Sequence, residues 1–137
     1  MNLFSKIFGE SDNKDTSHSR IKWKELTQIS QVGHLISESF DIPVFIFKHS
    51  TRCSISRMAL KQFENQYQIS SEVDAYFLDL LSYREISNEI ADRLQVVHQS
   101  PQLLLVSNGK CVYTVSHSDI DPLELKEKIT ELTKRPV

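Results

Sequence analysis

The sequence predicts an α/β domain, a central mixed β-sheet flanked by helices, on three observations. Short apolar runs alternate with segments whose apolar residues recur every three or four positions. The last two strand-like runs are joined by Asn108-Gly109, and 137 residues suffice for one core but not for two ordinary domains. The expected order is strand, helix, strand, helix, strand, helix, strand, strand, helix.

Each element has its own signal. From Gly9 to Ser19 the chain is polar with nothing to bury, so residues 1–20 are expected to be a flexible N-terminal segment and linker, and residues 21–137 the domain. Leu3, Phe4, Ile7 and Phe8 precede the linker at helical spacing, as a frayed terminus or a short amphipathic turn would. Ile21 and Trp23, with Lys22 and Lys24, alternate like a half-buried strand. Ile29, Val32, Ile36 and Phe40 then form a helical stripe over about 27–40. Pro43 introduces Val44-Phe-Ile-Phe47, a run suited to a central strand covered on both faces. After His49-Ser-Thr-Arg52, Cys53 opens a second helix whose expected stripe is Ile55, Met58, Ala59, Phe63 and either Gln66 or Tyr67.

The second half continues the alternation. Residues 73–81 read as a strand, and Ser82 with Glu85 predicts a capping box ahead of Ile86, Ile90 and Leu94. Pro101 leads into Leu103-Leu-Leu-Val106, and the Asn-Gly pair predicts a type I′ hairpin to the strand at 111–115. Asp121, Pro122 and Glu124 supply an N-cap, a first-turn proline and a capping partner for a last helix striped by Leu125, Ile129 and Leu132. Parallel crossovers followed by an antiparallel hairpin are the order of thioredoxin.

Composition narrows the function. A net charge of −2 offers no basic field for a phosphate backbone, so nucleic acid is not an expected partner. No apolar run approaches the roughly 20 residues of a membrane span, and the first residues lack a signal-peptide pattern, which predicts a cytoplasmic protein. Two cysteines far apart in a reducing compartment argue against a structural disulfide.

Cys53 is the candidate nucleophile. A thiolate attacks a disulfide sulfur, and the unpaired N–H groups and dipole of a helix start stabilise that anion; Lys48, Arg52 and Arg57 add nearby positive charge. Three residues on stands Ser56, so no local cysteine can resolve a mixed disulfide, and the site is monothiol. The Ser56 hydroxyl, one turn away, is expected to donate a hydrogen bond to the sulfur. Cys111 is placed by the topology at the opposite end of the sheet, about 17 Å away along a five-residue strand, and bridged cysteines need Cα atoms within about 7 Å, so it reads as structural. Ser100-Pro101 precedes the strand beside the Cys53 helix, where a cis proline would present the Ser100 backbone to an extended substrate. Thr51, Arg52, Ser54, Ser100 and Pro101 are therefore the candidate substrate-binding residues. His49 lies four residues before Cys53, but the remaining histidines are scattered and complete no tetrahedral set, so no metal is expected.

Phe47-Lys-His-Ser-Thr-Arg-Cys-Ser-Ile-Ser56 resembles the active-site segment of the YtxJ-type monothiol bacilliredoxins, and the likeness runs from about Trp23 to the final helix, through Ser-Pro-Gln and the Asn-Gly hairpin. The resemblance implies a thioredoxin-like fold and removal of bacillithiol from S-bacillithiolated proteins, with Cys53 as nucleophile and Ser56 in place of a resolving cysteine. It implies no bound cofactor, bacillithiol or another low-molecular-weight thiol (glutathione, coenzyme A) as co-substrate, and S-thiolated proteins as partners of a monomer. The family usually has proline directly after its cysteine; this chain has Ser54, which adds an N–H donor beside the sulfur. The Cys-Gly-Phe-Ser segment of the cluster-binding monothiol glutaredoxins is absent, and a colourless protein is expected. The alternative is a non-catalytic thioredoxin-like module that holds a protein partner in the groove beside Pro101.

Overall fold

The computed structural model describes residues 21–134. The flexible segment expected over 1–20 and the last three residues lie outside them. Strand β1 (Trp23–Glu25), helix α1 (Ser30–Glu38), β2 (Val44–His49), α2 (Ser54–Gln66), β3 (Asp74–Asp79), α3 (Arg84–Leu94), β4 (Gln102–Ser107), β5 (Lys110–Ser116) and α4 (Pro122–Lys134) follow in the expected order, with a 3₁₀ turn at His117–Asp119 before α4. The sheet order is β1-β3-β2-β4-β5; β3 lies parallel to β1 and β2, and β4 runs antiparallel to β2 and β5.

Every residue of β2 is buried, which explains its unbroken apolar run: a central strand has neighbours on both edges and helices on both faces. Its alternate residues feed two separate cores. Val44 and Ile46 pack with Val32 and Leu35 of α1 and Ile86, Ile90 and Leu94 of α3. Phe45 and Phe47 pack on the other face with Phe63 and Tyr67 of α2 and Leu125 and Ile129 of α4. Trp23 closes that second core edge-on to Phe45 and Phe47 and donates its indole N–H to Glu64 at 2.7 Å.

The hairpin forms as the Asn-Gly pair predicts, with φ of 51° at Asn108 and 79° at Gly109. Ser39 at the end of α1 holds it, its carbonyl accepting the Asn108 N–H and its hydroxyl the Gly109 N–H, both at 2.8 Å. A side chain at Gly109 would also strike the Phe40 ring, 2.7 Å from where its Cβ would stand.

Several local expectations change. Helix α1 is shorter than its stripe, so Ile29 and Phe40 fall outside it and are 50% and 62% exposed. The Ser82 capping box does not form: Ser82 turns back to Asp79 at 3.1 Å and Tyr83 occupies the cap position. At α4 the Asp121 carboxylate accepts the Leu123 N–H at 2.9 Å as an N-cap should, but Glu124 accepts the Tyr113 hydroxyl at 2.7 Å instead of completing a box.

Candidate active site

The site grows out of the C-terminal end of β2. Beyond His49 the chain turns through residues 50–53 and enters α2, and Cys53, in an extended conformation (φ −99°, ψ 122°), is its N-cap. Its carbonyl accepts the Arg57 N–H at 3.0 Å, so the first helical bond starts at the cysteine, and its own N–H donates to the Ser50 carbonyl at 3.1 Å. The sulfur belongs to a free, half-buried cysteine at the positive end of a helix, and it makes no side-chain capping bond to the first-turn N–H groups. Thr51, Arg52 and Ser54 stand exposed around it, and the Arg57 guanidinium donates to the Thr51 carbonyl at 3.0 Å.

Ser56 is fully buried, and its hydroxyl is engaged away from the position expected for it. The oxygen accepts the Ser50 N–H at 3.0 Å and lies 2.8 Å from His49 Nδ1. The expected donation to Cys53 is thus replaced by a contact with a buried imidazole. His49 packs 5.5 Å from the Phe77 ring and sits in register with Asp79 across the parallel β2–β3 pair. Burial holds its pKa below the ordinary imidazole value; Asp79 opposes this by favouring the cation, and Arg57 reinforces it.

Lys48 faces the other way. Its ammonium is buried against His98, with Nζ 3.0 Å from Nδ1, and the Ser87 hydroxyl reaches the same nitrogen at 3.1 Å. It therefore serves the segment before Pro101 and is spent on His98. Burial lowers its pKa to about 8, and burial, Lys48 and Arg84 together lower that of His98. Gln102 braces the same segment, donating to the Val97 carbonyl at 3.1 Å and accepting the Gln99 N–H at 3.2 Å.

The Ser100-Pro101 peptide is cis, as expected. Lys48 pairs with Gln102 across β2 and β4, so the next residues outward, His49 and Pro101, bring the proline to the end of the sheet from which Cys53 emerges. Pro101 accepts the His117 N–H at 3.0 Å, and Ser100 Oγ is buried with no hydrogen-bond partner. Between the first turns of α2 and the His117–Asp119 turn lies an apolar groove of about 220 Å³, lined by Ile55, Met58, Ala59, Gln62, His117 and Ile120. Ile55 and Met58, expected in the core, are 60% and 62% exposed on its wall.

Cys111 stands at the far end. Val44, at the start of β2, pairs with Val106, which pairs with Cys111, so the length of β2 separates it from Cys53. Its Sγ contacts the Tyr113 carbonyl at 3.5 Å, and burial pushes its thiol up. Among the described residues no group of three or more His, Cys, Asp or Glu is placed to hold a metal ion, and no helix is long and apolar enough to cross a membrane.

His49, Lys48 and His98 were not legible as a set. The signal available in the sequence was that two polar residues, Lys48 and His49, continue an apolar central strand, which demands buried partners for both.

A mixed sheet of this order with a cysteine at the start of α2 defines a thioredoxin-fold protein of the redox type. A protein provisionally assigned as an oxidoreductase with a thioredoxin fold is similar at 33% identity and a TM-score of 0.66, covering 77% of this chain and 91% of its own. The thioredoxins of Malassezia sympodialis (22% identity, TM-score 0.63, 82% of this chain and 92% of that one) and Schistosoma mansoni (15%, 0.62, 80% and 94%) share the fold. Residues 24–125 match the family described as monothiol bacilliredoxin BrxC, and the chain belongs to that family.

Proposed function

We propose that this protein is a cytoplasmic monothiol oxidoreductase that removes bacillithiol, or a similar small thiol, from protein mixed disulfides. The observation that carries the reading is Cys53 itself, a half-buried free thiol at the N-cap of α2 with serine where a resolving cysteine would stand. The Cys53 thiolate attacks the small-thiol sulfur of the mixed disulfide; the Cys53–small-thiol bond forms, the old S–S bond breaks, and the protein cysteine leaves as a thiolate that takes a proton from water. A second small-thiol thiolate then attacks that sulfur, releasing the small-thiol disulfide and returning Cys53 as a thiolate. No electron source beyond the small thiol is needed.

Thr51, Arg52 and Ser54 rim the sulfur and are assigned to the incoming mixed disulfide. Ser100 and Pro101 are assigned to the backbone of the protein substrate, which the unpartnered Ser100 hydroxyl supports. The test is transfer from a bacillithiolated protein, followed by mass spectrometry. Wild type should gain the bacillithiol adduct on Cys53 and release the protein thiol, and Cys53→Ser should do neither. Equal release by wild type and Cys53→Ser would leave a binding module.

A further inference from the structure

Ser56 has one hydrogen to donate and two groups that could take it, His49 Nδ1 and the Cys53 sulfur. Its oxygen already accepts the Ser50 N–H at 3.0 Å, and His49 Nδ1 lies at 2.8 Å. Cys53 is the N-cap and Ser56 the third residue of the helix, the two positions that face each other in a capping box, although Ser56 Oγ is here bonded to Ser50 and His49 and not to the sulfur. If Nδ1 is bare, the Ser56 hydrogen goes to the ring, and the sulfur receives nothing from it. With a proton on Nδ1, the ring becomes the donor; the oxygen then accepts from both Ser50 and His49, and its hydrogen is left for the sulfur.

We propose that His49 is a positioning residue for the reaction at Cys53, its Nδ1 setting whether the Ser56 hydroxyl hydrogen is directed to the imidazole or to the thiolate. The inference rests on Cys53 being the nucleophile. It accounts for a histidine buried at the end of a central strand, in contact with the one side chain that replaces a resolving cysteine. The charged groups facing the ring are Asp79 on β3, which favours the cation, and Arg57 on α2, which opposes it. The cation has both ring nitrogens protonated, so lowering the pH through the His49 titration, below the ordinary imidazole value, releases the Ser56 hydrogen to Cys53.

Iodoacetamide alkylation of Cys53, measured by mass spectrometry from pH 5 to 9, reads the sulfur directly and needs no bacillithiol. Wild type should show two inflections, one from the thiol and one below pH 6.5 that slows the fall in rate by about three- to tenfold, the size of one hydrogen bond. His49→Asn, which keeps a hydrogen-bonding group at the δ position without titrating, and Ser56→Ala should both lose the second inflection. Asp79→Asn should move it to lower pH. Superimposable wild-type and His49→Asn profiles, with both proteins giving the same thermal transition, would overturn the proposal. Failure of the catalytic reading shows elsewhere, as transfer activity that survives Cys53→Ser.

Discussion

Lys48 is wholly removed from water two residues before the reactive turn begins, and its ammonium lies against an imidazole nitrogen of His98. A buried ammonium is disfavoured by desolvation, so its pKa in the folded protein falls to about 8, against 10.5 for the ordinary side chain. Between those two values the unfolded chain holds the proton and the folded chain does not, so folding stability rises with pH across that window. Urea unfolding of wild type should therefore gain about 2 kcal/mol between pH 8 and pH 10 relative to Lys48→Met, at roughly 1.4 kcal/mol per unit. A Lys48→Met difference that stays constant over the interval would show that the ammonium is solvated. The same residue explains why positive charge counted along the sequence misleads: Lys48 is five positions from Cys53 but on the opposite face of the sheet, because successive strand residues alternate.

At the scale of elements, helix α2 divides its labour. Phe63 and Tyr67 are buried in the second core, while Ile55 and Met58 in its first turns line the groove facing His117 and Ile120. A protein substrate whose mixed disulfide reaches Cys53 would cover that groove, whereas a small-molecule disulfide would not. Met58→Asp should lower kcat/KM for a bacillithiolated protein by about tenfold, leave turnover of a small mixed disulfide within twofold, and leave Tm unchanged because the side chain is already exposed. Equal losses on both substrates would place Met58 in the chemistry itself. Helix α2 also shows what a sequence can and cannot yield. Its apolar spacing, its start at the cysteine and the hairpin turn are encoded within a few residues and were legible. Whether Ile55 or Met58 is covered depends on the His117–Asp119 turn, some 60 residues away. Pairing is just as remote for Lys48 and His98, which are 50 residues apart, so neither partner signals the other. Ser82 failed as a cap for the converse reason, a local competitor, Asp79, lying three residues back.

Across the whole molecule, the two cysteines occupy opposite ends of one sheet. Val44, Val106 and Cys111 lie side by side at one end, and Cys53 follows the other end of β2. Six residues of strand at about 3.3 Å per residue keep the sulfurs far beyond disulfide reach. Oxidation of the purified protein should give no intrachain bridge by non-reducing mass spectrometry, and Cys111→Ser should retain small-thiol transfer within about twofold of wild type. A mass two hydrogens lighter that vanishes in Cys111→Ser would mean that the sheet opens under oxidation.

The turn from Ser50 to Cys53 is tied to α2 by the Ser50 N–H on the Ser56 hydroxyl and by the Arg57 guanidinium on the Thr51 carbonyl, and is closed on itself by the Cys53 N–H on the Ser50 carbonyl. These bonds are made when the chain folds. A partner arriving at Cys53 meets a sulfur already placed, and the free energy of association is not drawn down by ordering the loop that carries it.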